Sequence, residues 1–295
     1  MTEADKGWIE LRSKDLVARI DPQGAQLSVL QDRDGRDLLW NGDATFWAGR
    51  APILFPIVGA LANGRYRLGE RTYELPRHGF ARGKRFDVVK ADPVEAVFRL
   101  DADDSTLTVY PFPFELDVEF RVLGATLSLI ATIRNRGDSA MPTSFGLHPA
   151  FRWPLPYDQP RSSHVIEFER EETAPIRRLD KSGLIIPEAI PNPIQGRSLV
   201  LDDALFQHDA LIFDQLRSHS VSYGSQSGPR IVVAFPDAPY LGLWMKPGAN
   251  FICIEPWHGI ADPQSFAGDF TAKPGVLNVP AQGGVTLRTD ITITA

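Results

Sequence analysis

A single cysteine, Cys253, among 295 residues excludes an intramolecular disulfide framework and agrees with a reducing compartment. No stretch approaches the roughly 20 apolar residues needed to span a bilayer. The start, Met1 to Glu10, lacks the apolar run of a secretory signal. The expected address is therefore the cytoplasm, with no membrane partner. Positive charge is in short supply too: 31 Lys and Arg face 37 Asp and Glu, a formal charge of −6. Such a chain has no general attraction for a phosphate backbone, and nucleic acid is not an expected partner. P-loop, dinucleotide fingerprint and Gly-x-Ser-x-Gly elbow are all missing, which removes the usual signatures of nucleotide-driven and triad chemistry.

What is present is an ordinary globular composition, 43% hydrophobic and 23% charged, punctuated by 24 glycines and 24 prolines between short apolar segments. Leu116, Val118, Phe120 and Val122 alternate with polar residues, as do Leu127, Leu129, Ala131 and Ile133 after Gly124. Period two means strands with one buried and one wet face, and the two runs read as a hairpin through Leu123-Gly124-Ala125. Val285 to Ile293 repeats the pattern. Further strands are expected at 8–11, 16–20, 25–30, 65–68 paired with 72–75, 165–168, 230–235 and 251–255. The one helical candidate is Asp202 to Leu216, whose poor period equally fits a helical turn followed by a strand. No linker, repeat or low-complexity tract divides residues 1–295, so one domain is expected. Many short strands of uneven length favour a sandwich over a barrel.

Three segments place titratable side chains among glycines, prolines and aromatics at expected strand ends. They are Leu75-Pro76-Arg77-His78-Gly79-Phe80-Ala81-Arg82, Ser144-Phe145-Gly146-Leu147-His148-Pro149-Ala150-Phe151, and Phe251-Ile252-Cys253-Ile254-Glu255-Pro256-Trp257-His258-Gly259. Glu255, after an apolar run, is expected to be desolvated and less acidic than in water, which suits a general base; a solvated strand end or a buried ion pair fits the same pattern. His78 and His148, taken singly, fit hydrogen-bonded structural histidines as well as catalytic ones. Cys253 falls on the Glu255 side of its strand as a small core residue. His164, His208, His219 and His258 read as surface residues, His258 with a place on a site rim. No HxH or HExxH spacing supports a metal site built from His78, His148 and Glu255, and none is expected. Trp40, Trp47, Trp153, Trp244 and Trp257 offer rings for stacking on a sugar or for core packing.

Taken together and in order, Phe55-Pro56-Ile57-Val58-Gly59, Leu75 to Arg82, Gly146 to Phe151 and Cys253-Ile254-Glu255-Pro256-Trp257 resemble the aldose 1-epimerase (galactose mutarotase-like) superfamily, in its branch of LacX-like proteins and hexose-6-phosphate epimerases. The resemblance implies an all-β fold, a large antiparallel β-sandwich with few short helices, and an isomerase that acts on a sugar or sugar phosphate without a metal or organic cofactor. Carried over, Glu255 matches the general base, His148 the general acid, and His78 a histidine assisting at the ring oxygen. Arg82 resembles a substrate-side arginine, and Asp209 an aspartate that binds sugar hydroxyls; Arg77 and Trp257 complete the expected substrate contacts. A departure is Ala60, where relatives commonly carry a basic or polar residue, so Asn63 or Arg65 becomes a candidate substitute. The same departure motivates a second reading, a carbohydrate-binding protein on this scaffold that does not turn over. A 6-phosphate has Arg77, Arg82, Lys84, Arg85 and Lys246 as candidate partners.

Overall fold

The computed structural model describes residues 7–294; Met1 to Lys6, part of the stretch on which the expected address rests, lie outside the described residues. The period-two runs become the centre of a nine-stranded antiparallel sheet. Phe114–Leu123 and Thr126–Asn135 pair from end to end across Gly124, and Gly284–Thr294 lies on the other side of Thr126–Asn135. Their alternation has a direct cause: Leu116, Val118, Phe120, Ala131 and Ile133 are buried in the core. On the other face Arg99 and Arg134 both pair with Asp117, at 2.6 Å each.

A second sheet of six strands, shorter and more buried, carries Leu211–Phe213, Tyr240–Trp244, Phe251–His258, Phe145–Leu147 and Ile53–Leu54, while Ala150–Arg152 pairs with Phe251–His258 as well. Seven of the eight residues of Phe251–His258 are buried. A strand covered on both faces needs no polar alternation, and its apolar run is the result. One apolar cluster includes Phe98, Phe120 and Ile291 of the large sheet and Leu243, Phe251 and Ile254 of the small one. A separate small cluster, including Leu54, Val58, Ile212, Trp257 and Ala261, contains residues of the site described below. A three-stranded sheet and two two-stranded pairs complete the described β architecture, and among the described residues no helix is long and apolar enough to cross a membrane.

One open alternative is resolved and two expectations need correction. Of the two readings of Asp202 to Leu216, the helical turn followed by a strand holds: Asp202 caps a short 3-10 turn at Asp203–Phe206, Asp209 turns the chain at φ 66°, and Leu211–Phe213 is a strand. Among the described residues the α-helix is instead Asp104–Val109, started by Asp103, whose carboxylate accepts from Thr106 N at 2.7 Å while its own N–H donates to Thr106 Oγ1. Glu255 does not end its strand. Proline lacks the N–H that a ladder uses and ordinarily marks a strand's limit, yet the pairing runs through Pro256, opposite Leu241, and on to Trp257 and His258.

Candidate active site

Strand register brings the acid and base candidates together. Phe145–Leu147 and Ala150–Arg152 both pair with Phe251–His258, Gly146 opposite Trp257 and Ala150 opposite Cys253. His148, between those two strands, thereby falls opposite Glu255, and the side chains meet with His148 Nε2 3.3 Å from Glu255 Oε2. The cleft they share, about 270 Å³, is also lined by His78, Arg77, Arg82, Asp209 and Trp257, so the three expected catalytic residues and the four expected substrate contacts all reach it, whereas the rim candidate His258 does not line it. Size does not select this site: a larger hollow of about 380 Å³ beside Trp40 and Arg152 holds none of these groups.

Burial governs the electrostatics. Glu255 is 2% exposed. Removal from water pushes its pKa well above the usual carboxylate value; Asp209 adds to the rise and the Trp257 indole opposes it. The same desolvation lowers His148 to about 3, with the Arg82 charge working in the same direction. Desolvation thus favours the neutral imidazole at His148, the residue expected to serve as general acid. Both shifts act against the ionised pair, and two groups 3.3 Å apart titrate as a unit.

His78 is fixed differently. Its backbone N–H donates to Gly59 O at 2.9 Å, and Gly59 N–H donates back to His78 Nδ1 at 3.1 Å. A ring nitrogen that accepts is unprotonated, so this imidazole is the neutral tautomer with its hydrogen on Nε2. Burial and then His148 hold its pKa well below the histidine value. The supporting backbone is tight: His78 sits at φ 67°, and a Cβ on Gly79 would lie 2.2 Å from Phe55 O.

The wall that carries Ala60 is tied down by a buried ion pair with no short-range sequence signature. Lys273 Nζ donates to Asp262 Oδ1 at 2.6 Å, and Ala62 N–H donates to Asp262 Oδ2 at 2.9 Å. The Asp262 backbone bonds Ala60 O and Ile185 N–H, each at 2.9 Å. Ala60 itself lines the cleft, but Asn63 and Arg65 border a different hollow, so neither replaces the missing contact. Asp209 is held by its own Ala210 N–H, at 2.8 Å, and by Arg178 on its carbonyl, at 2.7 Å.

At the rim, Arg82 Nη2 donates to Arg77 O at 2.8 Å, and Arg77 packs so closely on Gly183 that a Cβ there would strike its Nη2. Among the described residues neither arginine has a carboxylate partner, whereas Lys84 pairs with Asp103 at 3.0 Å, and Lys84, Arg85 and Lys246 do not line the cleft.

Of the tryptophans, Trp40 and Trp153 pack in the core, but Trp47 and Trp244 join Trp257 in the cleft. Trp47 stacks on the His148 ring at 4.8 Å and Trp244 meets it edge-on at 5.7 Å. No short-range pattern in the sequence separated these two from the core pair. His164, expected at the surface, is buried: its Nε2 accepts from Leu155 N–H and its Nδ1 lies 3.0 Å from Pro160 O. His258 is partly buried, while His208 and His219 are exposed as expected. Cys253 is fully buried, and the donor atoms of His148, Cys253 and Glu255 lie within 4.8 Å of one another, which makes these three, rather than the two histidines and Glu255, the set that could hold a metal ion.

A cleft walled by tryptophans, with a coupled carboxyl and imidazole on one side and cations at the rim, suits proton exchange on a polyhydroxylated ring. The sequence profile of the aldose 1-epimerase family matches residues 8–274. Protein LacX (plasmid) of Lactococcus lactis subsp. lactis is 33% identical, over 97% of this chain and 99% of the relative. A galactose mutarotase related enzyme from Lactobacillus acidophilus superposes with a TM-score of 0.90 at 28% identity, over 98% of this chain and 97% of the other. A galactose mutarotase-like protein from Lactobacillus casei gives the same score and identity, over 98% and 100%. The chain belongs to the aldose 1-epimerase family, with the galactose mutarotase-like sandwich fold and the carbohydrate-epimerase class that the family defines.

Proposed function

We propose that this protein is an aldose 1-epimerase that interconverts the α and β anomers of a hexose phosphate. The observation that carries the reading is the His148–Glu255 contact at 3.3 Å in a cleft that also presents His78. Anomerisation needs one acid and one base at the same moment, and a single proton held between the two groups, on His148 with Glu255 as the carboxylate when the ring opens, provides both. Glu255 as carboxylate takes the C1 hydroxyl proton. The O–H electrons form the C1 carbonyl, the C1–O5 bond breaks, and O5 takes the proton from His148. Rotation about C1–C2 and reclosure with the roles reversed give the other anomer and return the pair to its starting state. His78, with Nε2–H free to the cleft, donates a hydrogen bond at the ring oxygen without giving up its proton. Tryptophan faces suit the C–H faces of a pyranose.

The phosphate assignment rests on Arg77 and Arg82, two adjacent cations with no carboxylate partner among the described residues. Burial and then Arg77 lower the Arg82 pKa, a strain that an anion relieves. The test is anomer exchange followed by NMR or polarimetry on glucose and its 6-phosphate. The 6-phosphate is expected to exchange faster at substoichiometric protein. Arg82→Ala is expected to raise its KM about 10- to 100-fold, the worth of a hydrogen bond to a charged group, with a smaller change for the free sugar. Equal rates for both sugars overturn the phosphate assignment. Sugar signals that shift without faster exchange overturn catalysis and favour the binding protein that Ala60 suggests.

A further inference from the structure

The larger hollow, at about 380 Å³, lies within the usual range of small-molecule sites, about 300–1,000 Å³, and shares no lining residue with the catalytic cleft. Its floor is made of strand. Ser28 and Leu30 belong to Gln26–Asp32, Leu39 lies opposite Phe151, and Arg152 N–H donates to Leu38 O at 2.8 Å, which fixes the Arg152 backbone to that floor. The segment after Trp40 supplies a wall. Phe46, a large apolar residue left 38% exposed, meets the Trp40 ring edge-on at 6.2 Å inside the hollow. Its neighbour Trp47 lines the cleft instead, and Trp40 Nε1–H donates to Trp47 O at 2.8 Å, so consecutive residues of one braced segment serve the two cavities.

The polar side chains of the hollow are anchored through one atom and left over at another. Asn250 Oδ1 accepts from Arg161 at 3.0 Å, Asn41 Oδ1 from Asp43 N–H at 3.0 Å, and Asp37 Oδ1 from Gln31 at 2.8 Å. Among the described residues the two amide NH2 groups, the second Asp37 oxygen and the Arg152 guanidinium have no protein partner. Formal charge cancels, Arg50 and Arg152 standing against Asp37 and Asp43. These leftovers select the ligand by its hydrogen-bonding chemistry. A phosphate uses donors alone, and a metal ion or an amine uses acceptors alone. Hydroxyl groups donate and accept, so they use both kinds. A ring such as Phe46 suits the apolar C–H face that a sugar presents between its hydroxyls.

We propose that this hollow is a second binding site, for a neutral saccharide, which lies against Phe46 and is held through its hydroxyls by Arg152, Asp37, Asn41 and Asn250. Asp37 accepts from the sugar, and the guanidinium and the two amides donate to it. The two sites have separate contacts but a common segment. A sugar in the hollow rests on the residue preceding Trp47, whose ring stacks on His148.

The test follows the six indole N–H signals of protein labelled with 15N-tryptophan while a methyl glucopyranoside is added. That probe has no free anomeric hydroxyl, so its binding is read apart from turnover and stands or falls separately from the epimerase reading. The Trp40 signal, assigned with Trp40→Phe, is expected to shift saturably. Arg152→Ala is expected to raise the half-saturating concentration about tenfold, the lower end for a lost hydrogen bond to a charged group. Phe46→Ala is expected to raise it as well, and Glu255→Gln to leave it unchanged. Both hollow variants alter exposed side chains, and an unchanged circular dichroism spectrum checks their fold. A Trp40 signal that stays still, or one with the parent's half-saturation in Arg152→Ala and Phe46→Ala, overturns the proposal. A shift that disappears in Glu255→Gln but survives in Arg152→Ala places the sugar in the catalytic cleft and overturns it too. An Arg152-dependent Trp40 shift that inorganic phosphate produces at lower concentration than the glucoside assigns the hollow to an anion and overturns the neutral class.

Discussion

Asp262 and Glu255 are both buried carboxylates within one family fold, and they are provided for in opposite ways. Asp262 has a cation on one oxygen and a backbone N–H on the other, and its main chain ties Ala60 and Ile185 into the same wall. Glu255 has a neutral imidazole, an indole N–H that makes no hydrogen bond and a second carboxylate nearby. A buried charge that is fully paired shapes the molecule; one that is under-provided keeps a proton available for exchange. The satisfied pair braces the wall against which the unsatisfied one works.

The sharpest way to break this contrast is to remove each charge. Glu255→Gln is expected to lower anomer exchange by about 10³-fold, within the usual range for a lost general base, with an unchanged circular dichroism spectrum. Near-parent exchange in NMR would falsify the role of Glu255. Lys273→Ala leaves Asp262 buried without its cation and is expected to destabilise the fold by about 3–5 kcal/mol in denaturant titrations; a loss under 1 kcal/mol makes Asp262 no different from a surface acid.

A smaller effect sharpens the comparison through its sign. Glu255 has a folded pKa above its unfolded one, so the folded state binds the proton more tightly and stability declines as pH rises above the ordinary carboxylate value. Glu255→Gln removes that decline. Its Tm is expected to exceed the parent's by more at pH 8 than at pH 5, roughly 2 °C per kcal/mol relieved. The histidines oppose this at the acid end: His78 and His148 have folded values below the unfolded one, so their share of stability is complete above about pH 6.5 and falls away as pH drops toward the folded values. A Tm advantage for Glu255→Gln that shrinks with rising pH contradicts the assignment of Glu255 as the strained group.

How legible this was depends on what each residue's role is written in. The hairpin around Gly124 was readable because one face of Phe114–Leu123 and Thr126–Asn135 meets water, and exposure imprints period two on sequence. Phe251–His258 is covered on both faces, so its extent was not readable, and Pro256 suggested an end where the ladder continues. The helix Asp104–Val109 was signalled only by Asp103 and Thr106, a local cap without an apolar stripe. Glu255, His148 and His78 were found through motif order. Their protonation was not, because it depends on desolvation by segments far apart in the chain. Asp262 and Lys273 were silent for a related reason: nothing in either neighbourhood announces that the other will meet it.

The reciprocal bond between His78 and Gly59 gives the two imidazoles of the cleft different trades. A ring whose one nitrogen already serves the main chain must surrender that anchorage before it can take on a second hydrogen, so His78 acts as a fixed dipole. His148 has no such tether on the nitrogen facing Glu255 and can act as a courier. The histidines are therefore not understudies for one another, and a mutant lacking the courier is not rescued by the dipole standing beside it.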